Sequence, residues 1–484
     1  MQLSQILQDV SVKAVRPAPH AEITGICFDS RKVTPGSLFV AIRGFQSDGH
    51  RFIPSAVEKG AAAILAEDPP AEDIPDTVAY YTAENTRLAL AQVSAAWFGH
   101  PERELRLIGV TGTNGKTTVT HLIRHILEQK GETCGLIGTN GIFNGKEFLP
   151  AERTTPESTE LYGILREMAD NGCKYAAMEV SSHSIVLDRI AGLRFAVAAF
   201  TNLTQDHLDF HGDMEHYFEA KAMLFDRCET AVVNLDDSWG RKLTERVQCP
   251  CITYSGQKDE AVLVAKNIRL NPDSVQAVLV SGNEIARLRL HIPGSFSVYN
   301  GLTAIGCVQA LGLSLEEAAE ALDTAKGVKG RAEIVPTGSD FTVMIDYSHT
   351  PDSMENILKT VRGYAKGRVI GLFGAGGDRD KTKRPIMGKI GCDGCDLAVI
   401  TSDNPRSEDP DAIIADILVG TTNKHKYKVI PDRREAIAWC VKNAKKDDII
   451  VLMGKGQETY QEIQGVKHHL DEREEVAKAL AERK

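Results

Sequence analysis

The pattern of apolar and polar positions changes period at residue 105. LRLIGV (105–110) is an apolar run of strand length, and TGTNG follows as a polar turn. Val119, Leu122, Ile123, Ile126 and Leu127 then recur at i, i+3, i+4, i+7 and i+8, one face of a helix, with Gly131 placed to end it. Upstream, 23–29, 37–42 and 61–66 read as short strands with a helix over 52–59, a small α/β unit spanning residues 1–98. Downstream, 160–171 reads as a helix, 175–180 and 195–200 as strands and 218–225 as a helix. More strands follow Thr230, and 314–324 reads as a helix opened by a Ser314/Glu317 capping box. Residues 327–331 read as a linker. Beyond them, strands 342–346, 368–373, 397–401, 428–430 and 449–453 alternate with helical segments, the pattern of a doubly wound parallel sheet. The fold class is therefore α/β in three domains, 1–98, 99–330 and 331–484.

The length of 484 residues fits three domains, and 42% apolar residues suffice for packed cores. A net charge of −10 argues against broad nucleic-acid or membrane-surface binding. No apolar run of membrane-spanning length occurs, and MQLSQILQDVSVK does not have the layout of a signal peptide, so a cytoplasmic protein without membrane insertion is expected. Among ten cysteines only Cys392 and Cys395 form C-x-x-C. With no second pair at zinc spacing, they read as buried thiols in a reducing compartment.

The strand, glycine turn and helix at 105–131 make a phosphate cradle. Backbone N–H groups and the positive helix end face an anion, Lys116 adds a full charge, and Thr117 offers a hydroxyl to magnesium. Val110 stands where the full P-loop pattern has its first Gly, but Gly115-Lys116-Thr117 matches. Glu179, at a strand end, reads as a magnesium or water partner or as a solvated strand end. The run from Thr201 to Gly212 holds two His and two Asp, and one magnesium contact from His207 or Asp209 is the modest reading. His121 and His125 read as a polar helix face, because no Glu at 122 completes H-E-x-x-H. GAGGD (374–378) fails the dinucleotide fingerprint, since Arg379 holds the last Gly position. Asp403, Asn404, Pro405, Arg406, Gly454, Glu458 and a loop arginine, Arg384, lie near strand ends and describe either a pocket for a zwitterion or solvated loop ends.

These motifs in order resemble the Mur ligase family over nearly the whole chain: DSRKVTPGSLFVAIRG (29–44), TGTNGKTT (111–118), TTPES (154–158), MEVSSH (178–183), TNLTQDHLDFHG (201–212), YFEAKAMLF (217–225), GRAE (330–333), DYSHTP (346–351), GDRDKTKRP (377–385), DNPR (403–406) and GKGQE (454–458). The resemblance implies an N-terminal UDP-binding domain, a central P-loop ATPase domain and a C-terminal Rossmann-like domain. The activity implied is ATP- and magnesium-dependent addition of meso-diaminopimelate to UDP-N-acetylmuramoyl-L-alanyl-D-glutamate through an acyl phosphate, by a monomer.

Carried over by position, Gly112, Thr113, Asn114, Gly115, Lys116, Thr117 and Thr118 hold the ATP phosphates, and Asn300, Arg331 and Asp346 contact the rest of the nucleotide. Ser30, Thr154, Thr155, Ser181 and Arg189 hold the UDP substrate. Thr117, Glu179, His207 and Lys221, the last as a carbamate, hold magnesium. Arg384, Asp403, Asn404, Pro405, Arg406, Gly454 and Glu458 hold the amino acid. Arg406 would pair with the distal carboxylate that lysine lacks, so lysine would leave a buried guanidinium unpaired. Leu187 and Gln457 depart from the family's pattern. The rival readings are an L-lysine-adding sister ligase or a folylpolyglutamate synthetase, and a P-loop hydrolase that does not ligate.

Overall fold

The computed structural model describes residues 1–44, 47–72, 74–271, 273–421 and 426–483. Its strands form three sheets, one per domain, and one separate hairpin.

The first sheet runs in the order Lys13–Arg16, Ala79–Thr82, Ala63–Ala66, Ser37–Val40, Gly25–Cys27. Three of these strands overlap the expected ones. Lys13–Arg16 escaped because an exposed four-residue edge has no apolar alternation, and Ala79–Thr82 because its first three residues are buried on both faces. The helix Thr86–Trp97 also escaped, since its buried stripe is largely alanine. Its start is defined by Asn85, whose side-chain oxygen accepts from Arg87 N and Leu88 N, both at 3.0 Å.

The central sheet has eleven strands. Seven are parallel, in the order Cys134–Gly138, Tyr175–Glu179, Arg106–Thr111, Phe195–Phe200, Cys228–Asn234, Cys251–Ser255 and Leu263–Leu270. Antiparallel strands extend both edges. Arg106–Thr111 lies in the middle because 107–111 is fully buried. On one face the helix Lys116–Gln129 buries Val119, Leu122, Ile123, Ile126 and Leu127, the five positions of the sequence pattern. On the other face Ser158–Asp170 buries Leu161, Tyr162, Leu165 and Met168. The expected Ser314/Glu317 capping box opens Leu315–Asp323.

One expectation is sharpened here and one corrected. His121 and His125 form the polar face read from the sequence, and the C-terminal end of Leu315–Asp323 and the turn after it cover that face at His125. His125 Nε2 lies 3.0 Å from both Ala321 O and Thr324 Oγ1, and burial pushes His121 down to about 4. The C-terminal sheet, in turn, is not wholly parallel. Its order is Glu333–Val335, Thr342–Asp346, Ile449–Met453, Val369–Phe373, Leu397–Ile400, Tyr427–Val429, and the first of these is an antiparallel edge strand. Separate apolar clusters cover the two faces, as a doubly wound sheet requires. The hairpin Tyr460–Ile463/Val466–His469 stands apart from this sheet. The chain enters the third domain through Gly330, at φ +73°, where a Cβ would collide with the Gly456–Gln457 backbone.

Candidate active site

A cavity of about 540 Å³ lies between the central and C-terminal domains, at the carboxyl ends of their strands. Thr113 to Thr118, Glu179, His207, Asn300, Arg331 and Asp346 line it, together with Asp206, Tyr347, His349 and Asp352. One wall is the glycine turn. Gly112 and Gly115 have φ of +142° and +92°, and a Cβ on Gly115 would stand 2.5 Å from Asn300 Oδ1. Thr113 N donates to Asn202 O (2.9 Å), Asn114 N to Asn202 Oδ1 (3.0 Å), and Thr201 Oγ1 to Asn114 O (2.6 Å). These bonds set the loop before any ligand arrives. Lys116 Nζ curls back to Gly112 O (3.0 Å) and Thr113 O (2.7 Å).

Lys221 Nζ donates to the same Gly112 carbonyl at 2.9 Å from a side chain only 1% exposed. A lysine on a helix is ordinarily solvated; here the helix Met214–Ala222 packs it under the loop, over the Tyr217 ring. Burial, and then the Lys116 charge, push its amine well below the usual lysine range. Burial likewise lowers Lys116.

Glu179 is also 1% exposed; its Oε1 accepts from Thr139 N (2.8 Å) and its Oε2 from Thr139 Oγ1 (3.2 Å). Thr139 Oγ1 meets Thr154 Oγ1 at 3.0 Å. Thr155 Oγ1 donates to Glu179 O (2.9 Å) and accepts from Ser181 N (3.2 Å), and Arg189 reaches Thr155 O (3.2 Å) and Glu157 (2.8 Å). Glu179, Thr154, Thr155, Ser181 and Arg189 therefore form one bonded chain. Ser30 is outside it, at the start of a short turn capped by Asp29, with Lys59 Nζ on its carbonyl at 2.8 Å. A Lys32–Glu160 pair at 3.8 Å bridges that region to the central domain.

His207 has φ +54° and lies 3.4 Å from Asp206 Oδ2. Burial lowers its imidazole to about 3, so the ring is neutral. His183, which the sequence reading left without a role, meets the His207 ring at 4.9 Å and the His211 ring at 5.6 Å. Among the described residues, no three His, Cys, Asp or Glu side chains gather as a ready metal site.

On the opposite wall, Arg331 Nη2 donates to Thr117 Oγ1 at 3.0 Å, and its guanidinium lies 4.6 Å from the Tyr347 ring centre. Asp346 accepts from Ala332 N (2.7 Å) and Ser348 N (2.9 Å), and from Ser348 Oγ. Its carboxylate thus orders the chain just past the linker. Asp346 O also accepts from Gly454 N (3.1 Å), which joins this cavity to the second group of motifs.

That group is assembled as well. Asn404 Nδ2 donates to Glu458 Oε2 (2.9 Å), and Asn404 N to Asp403 Oδ1 (2.7 Å). The fully buried Lys455 of the GKGQE motif, given no role of its own in the sequence reading, donates to Asn404 Oδ1 (2.8 Å) and Glu458 Oε2 (2.7 Å). Pro405 is buried beside them, and Gly454 has φ +114°.

Two expectations change. Arg384 is in the helix Lys383–Gly394 rather than in a loop, and is 1% exposed. Its terminal nitrogens are taken by Glu408 (2.8 and 3.0 Å) and Asp416 (2.9 Å), so no fork is left for a ligand. Arg379 is the exposed loop guanidinium near Arg406; its Nη1 rests on Asp378 O at 2.9 Å. Both arginines lie in the motif GDRDKTKRP. Arg406, expected to be buried and bare without a distal carboxylate, is instead 23% exposed. It rests on Gly377 O (2.7 Å) and lies beside Glu462 (3.4 Å).

Comparison with known proteins agrees with this geometry. Three family models match in order: "Mur ligase family, catalytic domain" over residues 22–98, "Mur ligase middle domain" over 110–308 and "Mur ligase, glutamate ligase domain" over 330–456. The UDP-N-acetylmuramoyl-L-alanyl-D-glutamate–2,6-diaminopimelate ligase of Clostridioides difficile is 44% identical over 99% of this chain and all of its own.

The chain belongs to the Mur ligase family.

The enzyme of the same description from Clostridium tetani is 42% identical over the full length of both chains. A solved structure with that description is 31% identical and covers 100% of this Mur ligase and 99% of its own chain, at a TM-score of 0.70. The Thermotoga maritima MurF ligase, solved in complex with ADP, is 20% identical over 96% of this chain and 98% of its own. Its TM-score of 0.64 shows a shared fold. Among the described residues of this Mur ligase no helix is long and apolar enough to cross a membrane.

Proposed function

We propose that this Mur ligase joins meso-diaminopimelate to UDP-N-acetylmuramoyl-L-alanyl-D-glutamate at the expense of ATP, a cytoplasmic step of peptidoglycan precursor synthesis. The observation that carries the reading is the single cleft. The Lys116 loop forms one wall and the Asp346 strand end the other, and Asp346 O accepts from Gly454 N, next to Asp403 in the second group of motifs. The full-length likeness to ligases of that description supports the choice of substrates.

The γ-carboxylate of the D-glutamyl residue attacks the γ-phosphorus of ATP, and ADP leaves. The amine of diaminopimelate attacks the acyl phosphate, loses a proton, and the tetrahedral adduct expels phosphate. Little covalent chemistry is asked of the protein, so rate comes from positioning and charge. Backbone N–H groups of 115–118 at the helix N-terminus hold the phosphates, and Lys116 turns from the Gly112 and Thr113 carbonyls to the oxygens where charge gathers. Asn300, Arg331 and the Asp346 strand end frame the rest of the nucleotide. The bonded chain from Glu179 to Arg189, with Ser30 beyond it, receives the UDP substrate.

Magnesium, when bound, supplies charge neutralisation at the phosphates. Thr117, Glu179 and His207 face the cleft with oxygen or neutral imidazole donors, which fits such an ion. Lys221 fits only after modification. Its buried amine, shifted down by burial, adds as the free base to carbon dioxide with loss of a proton, and the resulting carbamate is an oxygen donor beside Lys116.

The test is phosphate release from ATP in the presence of the UDP-dipeptide, with meso-diaminopimelate, with L-lysine, or with neither. Release and tripeptide formation with diaminopimelate alone are expected. Release with lysine would move the enzyme to the sister activity, and equal release without an amino acid would point to a bare hydrolase.

A further inference from the structure

Glu462 lies on the hairpin strand Tyr460–Ile463, outside every motif singled out in the sequence. Its backbone is pinned to the 403–406 loop from two sides. Glu462 N donates to Asn404 Oδ1 at 2.9 Å, and Glu462 O accepts from Arg406 N at 3.1 Å. Gln464 N then donates to Arg406 O at 2.7 Å, so the hairpin grips Arg406 before and after its left-handed backbone, φ +52°. The result is a carboxylate held 3.4 Å from Arg406 Nε, while Arg406 Nη1 is occupied by Gly377 O. The two side chains are 23% and 27% exposed, so the pair is wet and exchangeable.

We propose that Glu462 is a specificity-setting residue, an internal carboxylate that occupies the guanidinium meant for the distal carboxylate of the amino-acid substrate. The inference rests on the proposed diaminopimelate pocket. A guanidinium fork prefers a bidentate carboxylate. A ligand carboxylate arriving at Arg406 must displace or sit beside Glu462, and two like charges at that range repel. A substrate without the distal carboxylate leaves Arg406 paired with Glu462 rather than bare, while the distal ammonium, which both amino acids carry, meets the same acceptor in either case. The residue therefore lowers the discrimination that Arg406 alone would give.

The experiment compares kcat/KM for meso-diaminopimelate and for L-lysine in the full-length enzyme, in wild type, Glu462→Gln, Arg406→Ala and the double variant. Glu462→Gln keeps the backbone bonds and the side-chain volume. It should raise the diaminopimelate-to-lysine ratio by about two- to five-fold, the range for a partly exposed ion pair. The change should be carried by KM, which should rise more for lysine than for diaminopimelate, since only the latter gains from the freed Arg406. Glu462→Asp, which retracts the charge by one methylene, should fall between. In the Arg406→Ala background the effect of Glu462→Gln on the ratio should vanish. An unchanged ratio in Glu462→Gln, or an undiminished effect without Arg406, would overturn the inference while leaving the ligase reading intact. Failure of the wild-type enzyme to form product with diaminopimelate would instead overturn the pocket reading itself and the inference with it.

Discussion

Two lysines on one carbonyl make the most demanding arrangement at the residue scale. Lys116 and Lys221 both donate to Gly112 O, at 3.0 and 2.9 Å. A buried ammonium beside a second cation gives up its proton readily. Removing the amine while keeping the bulk, Lys221→Met, should leave the protein folded by circular dichroism and lower phosphate release by about 100-fold or more, the size of a lost electrostatic stabiliser. Near-normal turnover would remove Lys221 from the catalytic machinery.

Arg384 and Glu408 illustrate the opposite case, a charge pair serving architecture. Hydrogen bonds from Arg384 hold the Glu408 carboxyl down to about 2, against an ordinary value of 4.5. A depressed carboxyl contributes stability above its unfolded value, and that contribution fades as pH falls from about 4.5 toward 2. Glu408→Gln should therefore destabilise by about 2 kcal/mol at pH 7, the scale of charge-assisted hydrogen bonds. The gap between the urea midpoints should have fallen to about half by pH 3 and nearly closed by pH 2; a gap independent of pH would contradict the assignment.

At the element scale, the helices divide by how their ends and stripes are written. Lys116–Gln129 was readable because large apolar residues mark its buried stripe and Gly131 its end. Thr86–Trp97 has an alanine stripe, and its clearest mark is the Asn85 cap. Asn85→Ala should lower the stability of the N-terminal domain by about 1 kcal/mol in urea unfolding, the usual value of a lost cap. An unchanged midpoint would mean that tertiary packing alone holds the helix start. The hairpin Tyr460–Ile463/Val466–His469 was unreadable for another reason. Its second strand is exposed, with no apolar alternation, and the hairpin is held through bonds to the 403–407 loop.

At the scale of the whole molecule, the central and C-terminal domains meet through few polar contacts around the nucleotide loop. Asn114 Nδ2 donates to Asp352 Oδ2 at 2.8 Å, Thr204 Oγ1 lies 3.4 Å from the same oxygen, and Arg331 reaches Thr117. Burial raises the Asp352 carboxyl. Asp352→Ala should loosen the docking. Small-angle scattering should then give a larger radius of gyration than wild type with nucleotide and UDP-dipeptide present, and KM for ATP should rise several-fold. Identical scattering and KM would mean that Arg331 and the linker hold the domains unaided.

Periodicity and turn chemistry, read from the chain alone, determined the strand–loop–helix at 105–131, the five parallel strands after 342, the capping box at Ser314 and the α/β class. These features depend on residues close together in sequence. The ordered motifs likewise placed the family before any coordinates. Tertiary structure alone decided where charges end up. Lys221 is buried and not solvated because a helix packs it beneath a loop more than a hundred positions earlier. Arg384 is saturated and not available because Glu408 and Asp416 fold back onto it. Arg406 already has a carboxylate beside it because a hairpin more than fifty positions later closes over its loop. Burial and pairing are sums over neighbours that the linear order does not contain, so the chemical state of these side chains follows from packing.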